Sequence, residues 1–141
     1  MKIDTWKKFN ESEDGVKSYT ANDIDHYKDT GWSAKIDGEK ITITISDVEE
    51  YLKDVDVVRI KVKDIASLSI NKDKKDKKTL DRVQKSDLRY PIIITSKGGE
   101  YYKVLDGNHR LQKAINNEID TIKAKVLKLE DAPNEYKKMF D

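Results

Sequence analysis

Residues 91–115 read PIIITSKGGEYYKVLDGNHRLQKAI, a strand, a turn, a second strand, a corner and a helix in unbroken succession. Pro91–Thr95 is a compact apolar run of strand length. Lys97-Gly98-Gly99-Glu100 has the residues of a hairpin turn, so Tyr101–Leu105 returns as the paired strand. At Asp106-Gly107 the period changes. Past Asn108-His109, a helix opened by Arg110 carries its apolar positions at Leu111, Ala114 and Ile115 and ends near Asn116-Asn117.

The corner between strand and helix is where chemistry is expected. Gly107 permits a tight or positive-φ turn. Asn108 is expected to be the N-cap, its amide bonding the free N–H groups beyond it. Free N–H groups, the positive end of the helix dipole, His109 and the planar fork of Arg110 then point at one place, which suits a phosphate. His109 can donate to a phosphate oxygen or move a proton near neutral pH. Asp106 can orient His109 or Arg110, act as a base, or hold a metal ion that bridges to phosphates. The plain alternative is an ordinary Asp-Gly turn, an ordinary Asn cap and a pairing of Asp106 with Arg110.

Outward from the corner, Thr121–Leu129 alternates as a further strand with Ile122, Ala124 and Val126 on one face. Pro133–Phe140 predicts a last short helix that packs Tyr136, Met139 and Phe140 onto the body. Upstream, Val57–Val62 alternates as a strand, and Asp64–Leu68 is a turn or short helix. Residues 71–79 form a lysine-rich charge run, expected to be a surface loop, with a short helix near Leu80–Lys85 after it. Ile41–Ile45 reads as a half-buried strand behind an Asp37-Gly38 turn. Ser46-Asp47-Val48-Glu49 has the form of a capping box, opening a helix through about Leu52 that buries Val48, Tyr51 and Leu52. Residues 1–40 read as a short helix near Trp6–Phe9 and loops. The whole predicts an α+β domain, a small mixed β-sheet with flanking short helices. An acidic N-terminal extension, 1–55, is expected to pack on a core of 56–141.

The 141 residues are 39% charged and 36% hydrophobic, with a net charge of +1. The charge is uneven: residues 1–58 carry 8 Lys/Arg against 14 Asp/Glu, and the remainder 20 against 13. The anion-attracting part therefore contains the corner, and the acidic part is the expected surface for a protein partner. Cysteine is absent, which excludes disulfides, thiolate metal sites and thiol catalysis. No run has the length of a signal-peptide core or a membrane span, so a cytoplasmic protein with no membrane partner is expected. His26, in Asp23-Ile24-Asp25-His26, is read as a solvated residue rather than a metal ligand.

The stretch from about Val57 to Leu129 resembles the ParB/sulfiredoxin-like superfamily. Ile60-Lys61-Val62-Lys63-Asp64-Ile65 is similar to its first strand and following turn, and Tyr90-Pro91-Ile92-Ile93-Ile94 to its Pro-Ile-aliphatic strand. Leu105-Asp106-Gly107-Asn108-His109-Arg110, followed by Lys113-Ala114, resembles its phosphate motif, with the alanine one residue later than in the strictest form. The resemblance implies that Gly107, Asn108, His109 and Arg110 bind a nucleotide phosphate, of ATP, ADP or CTP. It is closest in motif to members with an Asp-Gly-His-His-Arg sequence, which phosphorylate free serine. In those, the loop after the first strand supplies an acidic base; here that loop is the lysine-rich run, where Asp73 and Asp76 align with no motif. Sulfiredoxins use a cysteine where this chain has Asn108. Partitioning members carry a helix-turn-helix domain, for which residues 130–141 are too short. Short stand-alone chains of this look come from phages or mobile elements, which would place the protein in a host cytoplasm, and are labelled ParB-like nucleases.

Two main function classes follow. The first is a nucleotide-binding enzyme, a kinase or nucleotide hydrolase. Asp106 and His109 are its candidate catalytic residues, with Mg²⁺ bridging Asp106 to the phosphates. The second is a nucleic-acid-binding module or nuclease, in which the same corner contacts backbone phosphate and Lys72–Lys78, Lys78 above all, track the strand with Arg82, Lys85 and Arg89. A nucleotide sensor or inhibitor of a host factor without turnover needs the same pocket as the first.

Overall fold

The computed structural model describes residues 17–20, 30–71 and 73–141. The expected Trp6–Phe9 helix, His26 and its neighbouring carboxylates lie outside the described residues. The fold is α+β, and the described residues form two small sheets and short helices. Contacts divide the chain into a unit ending at Lys53 that also takes in Asp131–Asp141, and a second unit, Asp54–Glu130. The last helix is thus grouped with the N-terminal residues and not with 56–130.

In the first unit, strands β1 (Lys17–Thr20), β2 (Thr30–Ile36) and β3 (Glu39–Thr44) form an antiparallel sheet in chain order. Trp32 lies opposite Ile43 and Ala34 opposite Ile41. Helix α1 (Ile45–Tyr51) is capped two residues before the expected Ser46. Its cap is Thr44, whose hydroxyl accepts from the Asp47 N–H at 3.1 Å while the Asp47 carboxylate accepts from the Thr44 N–H at 2.9 Å. The strand's last hydroxyl therefore ends the strand and starts the helix. Ile45, Val48 and Leu52 are buried, whereas Tyr51 stays exposed. Helix α5 (Asn134–Phe140) buries Phe140, whose ring meets Trp32 edge-on with centroids 4.9 Å apart.

The second unit contains β4 (Val58–Lys61), β5 (Ile92–Lys97), β6 (Glu100–Asp106) and β7 (Thr121–Lys128), in the spatial order β4-β7-β5-β6. β5 and β7 run parallel and the other two pairings are antiparallel, the mixed sheet expected. Gly98 and Gly99 have φ of +61° and +84°, which forms the two-residue turn whose twist matches the flanking strands. The connection from β6 to β7 is helix α4 (Asn108–Asn116). Its Leu111 and Ala114 are fully buried in one cluster with Ile92 and Ile94 of β5, Ile122 and Ala124 of β7, and Ile60. Spacing of three puts both residues on the face toward the sheet.

Helix α2 (Val62–Ile65) follows β4 directly, and a 3₁₀ turn, Ala66–Leu68, follows it. The segment after this turn is tied to α4 by buried polar groups. Ser69 donates its hydroxyl to Gln112 Oε1 at 2.6 Å, and Gln112 Nε2 donates to Asn116 at 2.8 Å. Helix α3 (Lys77–Lys85) begins inside the charge run, three residues earlier than expected. Asp76 caps it, accepting from the Thr79 N–H and hydroxyl at 3.0 and 2.9 Å. Among the described residues no helix is long and apolar enough to cross a membrane.

Candidate functional site

The corner forms where β6 leaves the sheet beside the start of β5, since Asp106 lies opposite Ile93. Gly107 has φ +97° and ψ +23°, the left-handed region, and is itself the N-cap of α4. A Cβ there would lie 2.6 Å from Ile92 Cγ2 and 3.0 Å from both Nε and Nη2 of Arg110. Two separate constraints, a positive φ and a lack of space, thus demand glycine.

The expected cap by Asn108 is overturned. Because Gly107 turns the chain, Asn108 is already the first helical residue, and no side chain caps α4. The Asn108 amide instead points back, Nδ2 donating to the Val104 carbonyl at 3.4 Å, while Oδ1 is buried without a partner. Exchanging the amide's O and N would set two oxygens against each other, so this orientation is the sound one. The N-terminal N–H groups of a helix have no carbonyl within it to bond. With no side-chain cap, those of α4 remain available to an external anion.

Arg110 folds back over Gly107 and donates from Nη2 to Asp106 Oδ2 at 3.0 Å. The pairing foreseen as the plain alternative is therefore present, and it is partly sheltered, the arginine side chain being 17% exposed. It does not complete the arginine, because Nε is buried with no acceptor. A buried donor left unsatisfied costs about 1–3 kcal/mol. Asp106 is thus first an anchor for Arg110.

The His109 ring is half-buried. Burial holds its pKa below the ordinary 6.5, and the positive charges of Arg82, Lys74 and Arg110 push it the same way. The imidazole is therefore neutral at pH 7, able to accept a proton or donate one N–H. Its carbonyl accepts from the Ser86 hydroxyl at 3.4 Å, which connects the corner to the end of α3.

Of the side chains expected at a phosphate, Arg82 on α3 and Lys74 of the charge run both act on His109. Lys78 lies exposed on α3. Arg89 faces elsewhere, clasping the Asp87 carboxylate at 2.7 Å through Nη2. Among the described residues no three His, Cys, Asp or Glu side chains gather to hold a metal. Asp106 offers one carboxylate with Oδ2 engaged by Arg110. Mg²⁺ is commonly carried by one or two carboxylates together with substrate phosphates, so Asp106 fits that role only with phosphate bound. No protein-family model, no curated protein and no solved structure matches this chain.

Proposed function

We propose that this protein binds a nucleotide by its phosphates at the Asp106–Arg110 corner, in the manner of a stand-alone ParB/sulfiredoxin-like domain acting in the cytoplasm. The observation that carries the reading is the concentration of positive potential on one uncapped helix start. Gly107 brings the backbone close, Arg110 keeps guanidinium N–H groups beyond the one given to Asp106, and His109 stands among Arg82, Lys74 and Arg110. A phosphate there receives backbone N–H groups and a guanidinium together.

With Asp106 engaged by Arg110, neutral His109 is the group that would accept a proton from an attacking hydroxyl or water in a phosphoryl transfer. Mg²⁺, when bound between Asp106 and the phosphates, would neutralise their charge. Titration calorimetry with ATP, ADP and CTP, with and without Mg²⁺, tests the binding, and a product assay tests turnover. Arg110→Ala is expected to weaken binding by about tenfold or more, since hydrogen bonds to charged groups contribute about 1.5–3 kcal/mol. Absence of heat with all three nucleotides at millimolar concentration would sink the reading.

A further inference from the structure

A groove of about 660 Å³ opens in the second unit, and five cations line it: Arg59 of β4, Lys85 at the end of α3, Arg89, Lys113 of α4 and Lys123 of β7. Arg59 stands directly opposite Lys123 in the antiparallel β4–β7 pair. Residues so placed project to the same face, and like charges there repel and destabilise the pairing. The hydrogen bond formed by Arg59 is to a neutral group, the Thr121 hydroxyl, at 3.4 Å.

Lys113 is held in place. Its Nζ donates to the carbonyls of Ser86 and Gln84 at 2.7 and 2.9 Å, which leaves one of three ammonium N–H groups to give. The groove's carboxylate, Asp87, is already matched. Arg89 donates to both of its oxygens, and the side-chain and backbone hydrogen bonds from Arg89 pull the acid down to about 2. Among the described residues the lining therefore sets five cations against one carboxylate, and no second acid in it offsets the remainder.

We propose that this groove binds the sugar-phosphate backbone of a single-stranded nucleic acid. The cations come from separate segments of the unit, so successive phosphates of a polymer engage more of them than one phosphate does. The groove has the volume of a small-molecule site, which suits an unstacked nucleotide lying in it. Leu88 and Ile119 in the lining give a base an apolar surface to lie on. The proposal does not rest on the nucleotide reading of the corner, which uses other side chains.

Fluorescence anisotropy with a labelled oligodeoxythymidine strand tests it. The full chain is expected to bind, with affinity falling steeply between about 50 and 200 mM salt. Arg59→Glu and Lys123→Glu should each weaken binding by about tenfold or more, and each should make the salt slope shallower by about 0.7 for every phosphate it ceases to neutralise. Both variants place an opposite charge across the β4–β7 pair, so their melting temperature should hold or rise, which separates a binding defect from a folding defect. Nucleotide calorimetry on Arg59→Glu should match the parent chain, so the two readings fail separately. No binding by the parent chain at low salt, or unchanged binding by both variants, overturns the proposal. So does equal affinity for a duplex of the same length, or displacement of the strand by polyglutamate at equal charge concentration.

Discussion

The corner and the groove are both cationic and belong to one unit, yet their charges are arranged in opposite ways. At the corner an arginine rests on a carboxylate 3.0 Å away, and the potential comes from a helix start shaped by one glycine. In the groove Arg59 and Lys123 oppose each other across two strands, and the acid present is already matched by Arg89. One site is set by backbone shape, the other by strand register. The corner should therefore fail through steric change, and the groove through charge reversal.

Gly107→Ala is the harshest test of that contrast. The left-handed conformation costs a residue with a Cβ about 1–2 kcal/mol, and overpacking against Ile92 and Arg110 adds about 1–3 kcal/mol. A loss of about 2–5 kcal/mol in urea unfolding is expected, with nucleotide binding abolished. A loss under about 1 kcal/mol would mean that shape does not define the corner.

pH separates the two sites next. The folded-state pKa of His109 lies below its unfolded value, so the unfolded chain binds more protons in the interval between them, and stability rises with pH there. The stability is complete above about 6.5 and is lost as pH falls through the lowered value. Thermal melts of the parent chain and His109→Gln across this range check it: the parent should lose stability on acidification and the variant should lose less. A bound phosphate favours the imidazolium, so nucleotide affinity should rise as pH falls through the same window. Strand binding in the groove should stay flat, because among the described residues no histidine lines it and Asp87, held at about 2 by Arg89, remains ionised. A groove affinity that follows His109 would dissolve the distinction.

The sequence is unequally informative about the two sites, for a physical reason. The corner is local: strand, Asp-Gly and apolar helix spacing lie within 25 residues, and the elements from Ile92 to Lys128 form close to where the alternation puts them. Even there the cap is displaced, because a left-handed Gly107 moves Asn108 inside the helix. Asp76 with Thr79 is a cap signal, hidden by the lysines around it. β2, in a stretch read as loops, pairs along its full length through Ser33 and Ala34, small buried residues that give no apolar alternation. The groove is non-local. That Arg59 faces Lys123 depends on a strand register between distant segments, and nothing in either segment states it.

The two ends of α4 provide the finest test. At the corner the left-handed residue is glycine; at the other end, next to Ile119 of the groove lining, it is Glu118, with φ +54°. The Ile119 N–H bonds the Ala114 carbonyl at 2.9 Å and the Glu118 N–H bonds the Ile115 carbonyl at 3.1 Å, a closure that usually employs glycine at this position. Glu118→Gly relieves a strain of about 1–2 kcal/mol and gives back about 0.5–1 kcal/mol through the greater freedom of the unfolded chain. It also removes a negative charge from the helix C-terminus, where the dipole disfavours one. A net stabilisation of about 0.5–1 kcal/mol is therefore expected, visible as a melting temperature raised by a few degrees. Removing the carboxylate also leaves the field beside the groove more positive, so strand affinity should increase slightly while nucleotide binding at the far end of the helix stays unchanged. A gain at the corner instead would show that the two ends of α4 act as one site.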